Sequence, residues 1–417
     1  MKMIKVGVIG VGRGRSFVSS AKTAGMELVA LCDTWEEKLD AVGKQFNVST
    51  YTDYDKFLEH DMDAVILANY FHQHAPFAIK ALEAGKHVMS ETTAVITMAE
   101  AVALVNKVEE TGKIYMLAEN YPYFKYNQEM RRLYQAGEIG EMVYGEGEYL
   151  HPDTVEVRNK RAAGFLHWRN NLPATYYNTH ALAPLMHITD TMPVMVNALC
   201  IPYSDKDEQI DLLPKKSDTS SVILTRMNNH SVVRTIGTDL RGHGNWYRIH
   251  GTRGSMENLR TMDPQMLRVR HDRFELKEGE VEEKIYKPEF PFMADVANTT
   301  GHGGGDFFTD YYFAEAIRTG VQPYFDVYKA VAMSAVAIQG YKSAHENGAP
   351  YEIPDFKNSN AVREKYKNDN WCPMPEFRDV QPNQPFASVY GDLPITEKAK
   401  ELARKHWVEI GYRGEDV

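Results

Sequence analysis

Residues 4–15 decide the fold of this chain, and they read IKVGVIGVGRGR. The apolar run at 4–9 predicts a buried strand, the glycines after it predict a tight turn, and an amphipathic segment from Ser16 predicts a helix. Such a turn seats a pyrophosphate, because glycines let backbone N–H groups approach the phosphates and the helix N-terminus carries partial positive charge. Arg15 occupies the third position of the fingerprint, so the motif is imperfect. The residues expected to contact a dinucleotide here are Gly10, Gly12, Arg13 and Gly14.

An acidic residue follows the second apolar run, where a ribose-binding group is expected. Residues 28–32 (LVALC) end in Asp33, about 20 residues beyond the first glycine. A carboxylate at this point accepts hydrogen bonds from both ribose hydroxyls and repels a 2′-phosphate. The sequence therefore predicts NAD as the cofactor, in preference to NADP.

Composition excludes several classes of function. A net charge of −10 over 417 residues argues against nucleic acid as a partner, since nucleic-acid-binding proteins carry a basic surface. No apolar stretch approaches the roughly 18 residues needed to span a bilayer, and the N-terminus is a strand and not a signal peptide. The 3 cysteines suit neither a disulfide framework nor a metal site. We expect a cytoplasmic protein with no membrane partner and no metal.

Strands and helices alternate over the first 120 residues. The predicted strands are 4–9, 27–32, 63–68, 86–89 and 114–118. The predicted helices are 16–24, 35–46, 54–59, 75–84 and 98–111. This order predicts an α/β fold with a doubly wound parallel sheet of the Rossmann type, which binds its cofactor at the carboxyl ends of the strands.

Beyond residue 121 the pattern changes to longer runs of strand-like sequence. The predicted strands are 140–149, 194–201, 220–227, 230–237, 246–250 and 255–258. The predicted helices are 127–136, 306–319, 326–345 and 395–407. We expect a C-terminal α/β domain with a large open, mostly antiparallel sheet. The domain boundaries expected are 1–120 for the NAD-binding domain, 121–355 for a substrate and oligomerisation domain, and 356–417 for an extension that packs on both.

Two further motifs carry a family resemblance. After the glycine turn and Asp33, residues 68–76 read ANYFHQHAP and residues 81–88 read ALEAGKHV. With these motifs the chain resembles the Gfo/Idh/MocA oxidoreductase family over roughly positions 1–350. The resemblance implies hydride transfer between a nicotinamide and a carbon of a sugar or polyol. The usual signature continues with Glu-Lys-Pro, whereas this chain has Glu91-Thr92-Thr93, so Thr92 replaces the family's catalytic lysine.

Two segments of the second half resemble one branch of that family. Residues 176–184 (YYNTHALAP) keep the active-site histidine but have Tyr176 where the family commonly has an aspartate. Residues 301–306 (GHGGGD) form the second segment. Both are similar to the NAD-dependent glycoside hydrolases of the α-N-acetylgalactosaminidase kind. In the glycine segment we expect the glycines to let the sugar approach closely and Asp306 to cap the helix that follows.

Candidate site residues follow from these motifs. Because removing a hydride from a carbinol needs a base for the hydroxyl proton, and Thr92 is not one, the expected catalytic residues are His180, Tyr177 and Glu91. Besides the glycine turn and Asp33, those expected at the cofactor are Asn69, His72, His74, Glu91 and Glu119. Those expected to bind the sugar are Tyr121, Tyr123, His167, Trp168, Arg169 and His302. The alternative for each is a packed or exposed side chain with a structural role.

Three functions compete on this sequence. The first is an NAD-dependent oxidoreductase that moves hydride to or from a ring carbon of a sugar or glycoside. The second is a glycoside hydrolase that uses NAD transiently, by oxidation, elimination and addition of water, without net redox change. The third is a sensor that binds NAD and sugar without catalysis. All three imply a small carbohydrate partner, and the open sheet of the family implies a homodimer or homotetramer.

Overall fold

The computed structural model of the chain describes residues 3–202, 206–242, 244–260, 263–374 and 384–414. Its N-terminal part folds around a parallel sheet in the order β3-β2-β1-β4-β5-β6. The strands of this sheet are β1 (Ile4–Ile9), β2 (Met26–Cys32), β3 (Ser49–Tyr51), β4 (Ala64–Leu67), β5 (His87–Ser90) and β6 (Tyr115–Leu117). The order reverses direction at β1, so the carboxyl ends of β1 and β4 border the crevice in which such sheets bind ligands.

Helices connect these strands on both faces of the sheet. They are α1 (Arg15–Ala21), α2 (Glu36–Phe46), α3 (Tyr54–Leu58), α4 (His74–Glu83) and α5 (Met98–Thr111). Local sequence explains their ends: the Thr97 side chain accepts from the backbone N–H of Glu100 at the start of α5, and Gly112 adopts the left-handed conformation at its end. The predicted Rossmann fold is confirmed. The short strand β3 is an addition to the prediction, since its three residues are too few to show a hydrophobic period.

A second sheet contains the strands of the rest of the chain. They are β7 (Met142–Leu150), β8 (Pro193–Ile201), β9 (Ser220–Met227), β10 (Val232–Thr238), β11 (Gly244–Gly251), β12 (Ser255–Asn258), β13 (Leu267–Arg270), β14 (Glu283–Tyr286) and β15 (Tyr351–Glu352). Their order is β14-β13-β12-β11-β7-β10-β9-β8-β15. Every pair is antiparallel except β7 with β10, which confirms the predicted mostly antiparallel sheet.

The helices of the second half pack on this sheet, on the first half of the chain or on one another. They are α6 (Lys125–Gln135), α7 (Val155–Arg161), α8 (Thr179–Thr189), α9 (Ala294–Ala297), α10 (Gly305–Thr319), α11 (Val327–His345), α12 (Asn360–Tyr366) and α13 (Glu397–Glu409). Helix α11 packs on β8 of the second sheet and on α5 and β6 of the first, while α10 packs on α1. One continuous hydrophobic core therefore joins both sheets.

The opposite face of the second sheet is open in the single chain. Arg234 pairs there with Glu146 at 2.7 Å across neighbouring strands, and aliphatic side chains such as Leu199 and Leu224 are exposed. Cross-strand ion pairs of this kind fix strand register more than they add stability.

The C-terminal segment packs on the second half of the chain. Helix α13, two residues further along than predicted at both ends, lies against α7. Trp407 is fully buried there and its indole N–H donates to the carbonyl of Asn159 at 3.0 Å. Across the described residues, every helix is too short or too polar to cross a membrane.

Candidate active site

The glycine turn closes tightly over the sheet, as its sequence requires. Gly10 has φ +92°, and a Cβ atom on it would lie 2.2 Å from the carbonyl oxygen of Ala68 at the end of β4. A glycine is therefore obligatory on two counts, conformation and space. The backbone N–H of Gly14 donates to the carbonyl of Gly10 at 3.0 Å, and α1 starts at the next residue. The N–H groups of Ser16 and Phe17 donate to the carbonyls of Arg13 and Gly14, so what this helix start offers an anion is chiefly its partial positive charge.

Asp33 lies beside this turn at the end of β2. One carboxylate oxygen accepts from the backbone N–H of Val11 at 2.8 Å, and the other accepts from that of Trp35 at 2.9 Å. A carboxylate offers about four acceptor positions, so two remain for the hydroxyls of a ribose. The side chain thus holds the turn in place and also presents a negative charge at its edge.

Polar atoms without a partner mark the cofactor crevice. Both amide atoms of Asn69, after β4, are buried and have no hydrogen-bond partner within the described residues. The hydroxyl of Thr92, after β5, is also buried and has no hydrogen-bond partner within the described residues. Buried polar groups are normally paired, so these atoms need a ligand or water to satisfy them. Their place at the carboxyl ends of neighbouring strands fits a bound dinucleotide.

Arg13 connects the glycine turn to both halves of the chain. Its Nε donates to Glu91 at 2.6 Å, and its two terminal nitrogens donate to the carboxylate of Asp306 at 2.8 and 3.1 Å. The guanidinium also lies 4.5 Å from the ring centroid of Phe17. Three of its five N–H donors are used in this way, and two are left for a phosphate.

Asp306 is the fully buried centre of this network. Besides Arg13, it accepts from the side-chain amide of Asn120 at 2.9 Å and from the Nδ1 of His302 at 2.9 Å. The prediction that it caps the following helix is wrong, because α10 already begins at Gly305 and no side chain caps it. The loop glycines also serve packing: a Cβ on Gly305 would lie 2.5 Å from the carbonyl oxygen of Asn120.

Burial and pairing oppose each other at these two charged groups. Burial disfavours the charge of Arg13, but Glu91 and Asp306 outweigh it and hold the pKa of the guanidinium above its ordinary value. Burial would likewise raise the pKa of Asp306, yet hydrogen bonds from His302 and Arg13 hold it well below its usual range. The ion pair is therefore fully formed at neutral pH.

A second network surrounds His180 in the first turn of α8. Its Nδ1 lies 2.7 Å from Glu119, which is fully buried at the end of β6, and the second oxygen of Glu119 has no partner among the described residues. The carboxylate accepts from Nδ1–H, so the other ring nitrogen, Nε2, is left to accept a proton. The hydroxyl of Tyr247 donates to the backbone carbonyl of His180 at 2.7 Å and fixes the helix start.

Three tyrosine rings enclose the imidazole of His180. The ring centroids of Tyr121, Tyr149 and Tyr177 lie 4.4, 4.7 and 5.0 Å from it. Burial raises the pKa values of the Tyr121 and Tyr149 phenols above their ordinary range, so both hydroxyls are protonated. Tyr149 was not predicted as a site residue. Its strand was, but a strand pattern does not tell which of its tyrosines ends beside the cleft.

Aromatic side chains from both halves of the chain meet at the mouth of the cleft. The ring of Tyr70 lies 4.8 Å from that of His167, and Phe71 lies 4.9 Å from Trp168. The guanidinium of Arg169 stacks on Trp168 at 4.2 Å. Burial, with the nearby positive charge of Arg169, lowers the pKa of His167 to about 3, so its ring is neutral.

Several predicted residues have other positions than expected. Tyr123 does not line the cleft, because it is buried in the core with its ring 5.0 Å from Tyr312. His74 is buried as well, and its Nδ1 lies 2.8 Å from the carbonyl of Thr93. It therefore holds the loop after β5 in place. Glu119 supports His180 where a cofactor contact was expected. His72 lies beside the ring of Tyr70, with 5.9 Å between the ring centroids.

Glu91 is held in place by its neighbours. One carboxylate oxygen accepts from Arg13 and the other accepts from the backbone N–H of Thr92 at 3.2 Å. A carboxylate held on both oxygens by a cation and a backbone donor has a fixed orientation. This geometry favours a positioning role over the catalytic role that the sequence suggested. No cluster of three or more His, Cys, Asp or Glu side chains suited to a metal ion occurs in the described ranges.

Comparison with known families agrees with the two-part architecture. Residues 4–119 match the model of the oxidoreductase family with an NAD-binding Rossmann fold, named GFO_IDH_MocA. Residues 201–363 match the model of the glycosyl hydrolase 109 C-terminal domain. The chain therefore combines a segment that matches the Gfo/Idh/MocA NAD-binding domain with a segment that matches the glycosyl hydrolase 109 C-terminal domain. Both the predicted family and its predicted branch are thereby confirmed, and so is NAD as the cofactor.

Curated relatives match this chain over most of its length. A glycosyl hydrolase family 109 protein 1 of Shewanella sp. (strain ANA-3) is 27% identical over 397 residues, which cover 85% of each chain. An alpha-N-acetylgalactosaminidase of Shewanella oneidensis is 26% identical over 397 residues, with the same coverage.

Solved structures share the fold at lower identity. A levoglucosan dehydrogenase in complex with NADH and L-sorbose superposes with a TM-score of 0.72 at 19% identity, over 85% of this chain and 100% of that one. An aldose-aldose oxidoreductase from Caulobacter crescentus gives 0.66 at 18% identity, over 84% and 100%. At this identity the likeness concerns the fold alone.

Asp33 makes cofactor choice testable. Asp33→Asn keeps the shape of the side chain but removes the charge that faces a 2′-phosphate. We expect the ratio of Kd for NADP to Kd for NAD to fall by about 10-fold or more, on the order of 1–3 kcal/mol for a charged hydrogen bond. Isothermal titration with both cofactors measures this ratio. Asp40→Asn, at an exposed position on α2, is the control. Equal affinity of the unchanged protein for both cofactors would contradict the assignment.

Because Asp306 is buried and paired, the stability difference between the unchanged protein and Asp306→Asn should depend on pH. Asp306→Asn breaks its ion pair with Arg13 and should lower the free energy of unfolding by about 3 kcal/mol at pH 7. Because the folded-state pKa of Asp306 is depressed, its contribution is complete above about pH 4 and is lost as pH falls further. The gap between the two proteins should therefore narrow by about 1.4 kcal/mol per pH unit below that point.

Urea unfolding between pH 7 and pH 3 measures this gap. Asp61→Asn removes an exposed ion pair with Lys5 and should leave stability almost unchanged. A gap that stays constant with pH would show that the carboxylate charge of Asp306 does not carry the effect.

Proposed function

We propose that this protein hydrolyses glycosides, with NAD bound as an internal redox group that is restored in every turnover. The observation that carries the proposal is the buried His180–Glu119 pair enclosed by three tyrosine rings, combined with Thr92 where the family has its lysine. A simple dehydrogenase needs one base for a hydroxyl proton. This site offers an imidazole and several phenols, which is the set of proton carriers that hydrolysis by elimination requires.

The chain holds NAD with residues already described. The glycine turn and the two free donors of Arg13 suit the pyrophosphate, Asp33 suits the ribose, and the unpartnered amide of Asn69 suits a polar group deeper in the crevice. Bound there, NAD would supply the acceptor for a hydride from a ring carbon of the sugar and the donor that returns it at the end of the turnover.

His180 handles the proton of the hydroxyl at that carbon. Its Nδ1–H is held by Glu119, so the imidazole keeps one tautomer and one orientation, and Nε2 accepts the hydroxyl proton. The carboxylate of Glu119 then stabilises the imidazolium, as in other histidine–carboxylate pairs. Glu119 acts through His180 and is a positioning residue.

Tyr177 is the second proton carrier in this proposal. A ketone on the sugar ring acidifies the neighbouring C–H bond, so a base can remove that proton while the glycosidic group leaves with a proton from an acid. The ring of Tyr177 stands edge-on to His180 and also borders Tyr149, which keeps its hydroxyl within the same enclosure. Water added to the resulting double bond gives the hydrolysed sugar after the hydride returns.

The sugar itself is expected between His180 and the aromatic mouth of the cleft. Tyr121 and the rings at Trp168 and His167 provide apolar walls suited to a sugar face. His302 remains partly exposed while its Nδ1 donates to Asp306, so its second ring nitrogen is available to a sugar hydroxyl. A homodimer or homotetramer formed on the open sheet face stays a prediction.

Replacement of His180 tests the proton-transfer role. We expect His180→Asn to lower kcat by about 10²-fold or more, which is the range for a lost general base, with little change in NAD affinity. His187→Asn is the matched control, because His187 is also a buried histidine of α8 but packs against Tyr123 away from the site. Equal losses in the two variants would mean that His180 matters only for folding.

Glu119→Gln tests whether Glu119 positions and stabilises the charged imidazole of His180 or only contributes to the fold. Loss of the neighbouring negative charge should move the acidic limb of the kcat/KM profile to lower pH, since imidazolium is then less stabilised. A variant with reduced kcat but an unmoved pH profile would show that Glu119 is only structural.

Aryl glycosides distinguish the possible reactions. In a panel of 4-nitrophenyl α- and β-glycosides, including the N-acetylgalactosaminides, we expect nitrophenol release without accumulation of NADH at 340 nm. In D₂O, deuterium should enter the product at the carbon next to the oxidised one, because elimination breaks that C–H bond. NADH formation in step with sugar consumption would instead establish a net dehydrogenase. Tight NAD binding with neither signal would support the sensor.

A further inference from the structure

A small cavity beside Tyr177 has an unusual set of charges. Three cationic side chains line it, namely Arg158, Arg169 and Lys215. Only two carboxylates, Asp218 and Asp239, are present to balance them, so the lining carries a net charge of about +1. Leu172, Pro173 and Ala174 form an apolar side of the same cavity.

One carboxylate serves two of these cations. Both arms of the Arg158 guanidinium donate to Asp239, and the ammonium of Lys215 donates to the same carboxylate at 2.6 Å. Burial would raise the pKa of Asp239, but Lys215 and Arg158 hold it below its usual range. Asp218 accepts from the hydroxyl of Ser388 at 2.6 Å and from the backbone N–H of Val389 at 3.0 Å, so it contributes negative charge near Lys215 but no direct hydrogen bond to it.

The cations therefore retain unused hydrogen-bond donors. The side chain of Lys215 is only 4% exposed, and Asp239 is its single acceptor within the described ranges, so two of its three N–H donors have none. The guanidinium of Arg169 stacks on Trp168 and has no acceptor in the described part of the chain. Buried ammonium donors without acceptors are costly, and a ligand with negatively charged oxygens would satisfy them.

The position of the cavity relates it to the active site. Tyr177 lines it and also stands 5.0 Å from the ring of His180, so one aromatic side chain separates the cavity from the proposed base. The cavity has room for about one water-sized group, so it admits only the outer oxygen atoms of a sugar substituent and not a second ring.

We propose that this cavity binds an anionic substituent of the substrate, a carboxylate or a sulfate ester carried by the sugar. Arg169 and Lys215 bind the anionic oxygens, and Asp239 keeps Arg158 and Lys215 in place. The substrate class is then an acidic glycoside, such as a uronide or a sulfated hexosaminide. This inference rests on the proposed function for its choice of sugar, but the anion site itself is independent of turnover.

Binding to the NAD-saturated full chain tests the site. The probes are matched pairs at constant ionic strength: galactose with galacturonate, glucose with glucuronate, and N-acetylgalactosamine with its 6-sulfate. Inorganic sulfate is a further probe, because its binding does not depend on how a sugar is oriented in the cleft. We expect the acidic member of at least one pair to bind about 10-fold more tightly than the neutral one, and sulfate to raise Tm saturably. Comparison of the uronate pairs with the 6-sulfate pair shows whether the site prefers a carboxylate or a sulfate ester.

Variants assign the effect to named residues. Arg169→Gln and Lys215→Gln should each reduce the ratio of acidic to neutral affinity towards one and remove the sulfate effect. Arg161→Gln is the control, because Arg161 pairs with Asp153 on the exposed side of α7 and does not line the cavity. In Lys215→Gln the carboxylate of Asp239 keeps its pair with Arg158, so the fold is retained.

Equal binding of acidic and neutral probes together with no sulfate effect would overturn the anion site. An equal loss of the ratio in Arg161→Gln would also overturn it, since general surface charge would then explain the preference. Hydrolysis of neutral glycosides without preference for acidic ones would leave the proposed function standing and sink the anion site. Tighter binding of acidic sugars without turnover of any glycoside would support the anion site and contradict the proposed function.

Discussion

The ion pairs of Arg13 are the contact on which the rest of the site depends. This side chain comes from the glycine turn of the parallel sheet and binds an aspartate in the first turn of α10, in the second half of the chain. The two residues are 293 positions apart, yet their guanidinium and carboxylate groups meet in a parallel two-bond arrangement. Because Asp306 also binds Asn120 and His302, the cofactor turn, the end of β6 and the substrate-side loop share a single charge network.

A second network, at His180, follows the same principle of placing chemistry where the two halves meet. Glu119 comes from the last strand of the parallel sheet and the imidazole comes from a helix on the mixed sheet. Neither half contains a complete proton-transfer pair. Burial makes the pair effective, since a low-dielectric surrounding strengthens the interaction between the imidazolium and the carboxylate.

Local patterns predicted the parts of the site that depend on neighbouring residues. The glycine turn and Asp33 were found because strand, turn and helix follow one another within a short stretch, and His180 was found through its motif. The ion pair between Arg13 and Asp306 has no local signal, and neither has the packing of Arg158 against Asp239. Strand and helix periods locate a residue on an element, but the side that faces the cleft is decided by tertiary packing.

Two tyrosines illustrate this limit. Tyr121 and Tyr123 lie on one short turn and look equivalent in sequence, yet Tyr121 contacts His180 while Tyr123 is buried among aromatic core residues. A half-turn of rotation separates the two directions. The strands β13 and β14 were missed for a related reason. They are short and polar, and they form because they pair with the edge of the existing sheet.

Helix α11 has a consequence for motion. It is buried along most of its length and packs on strands of one sheet and on elements of the other, so a single apolar core spans both halves. Domains joined by small polar interfaces usually open and close about a hinge, whereas a large shared core resists such movement. This architecture therefore favours one cooperative unfolding transition and a cleft of fixed width. Ligands then exchange through local motion of the loops at its rim, on a faster timescale than a domain swing.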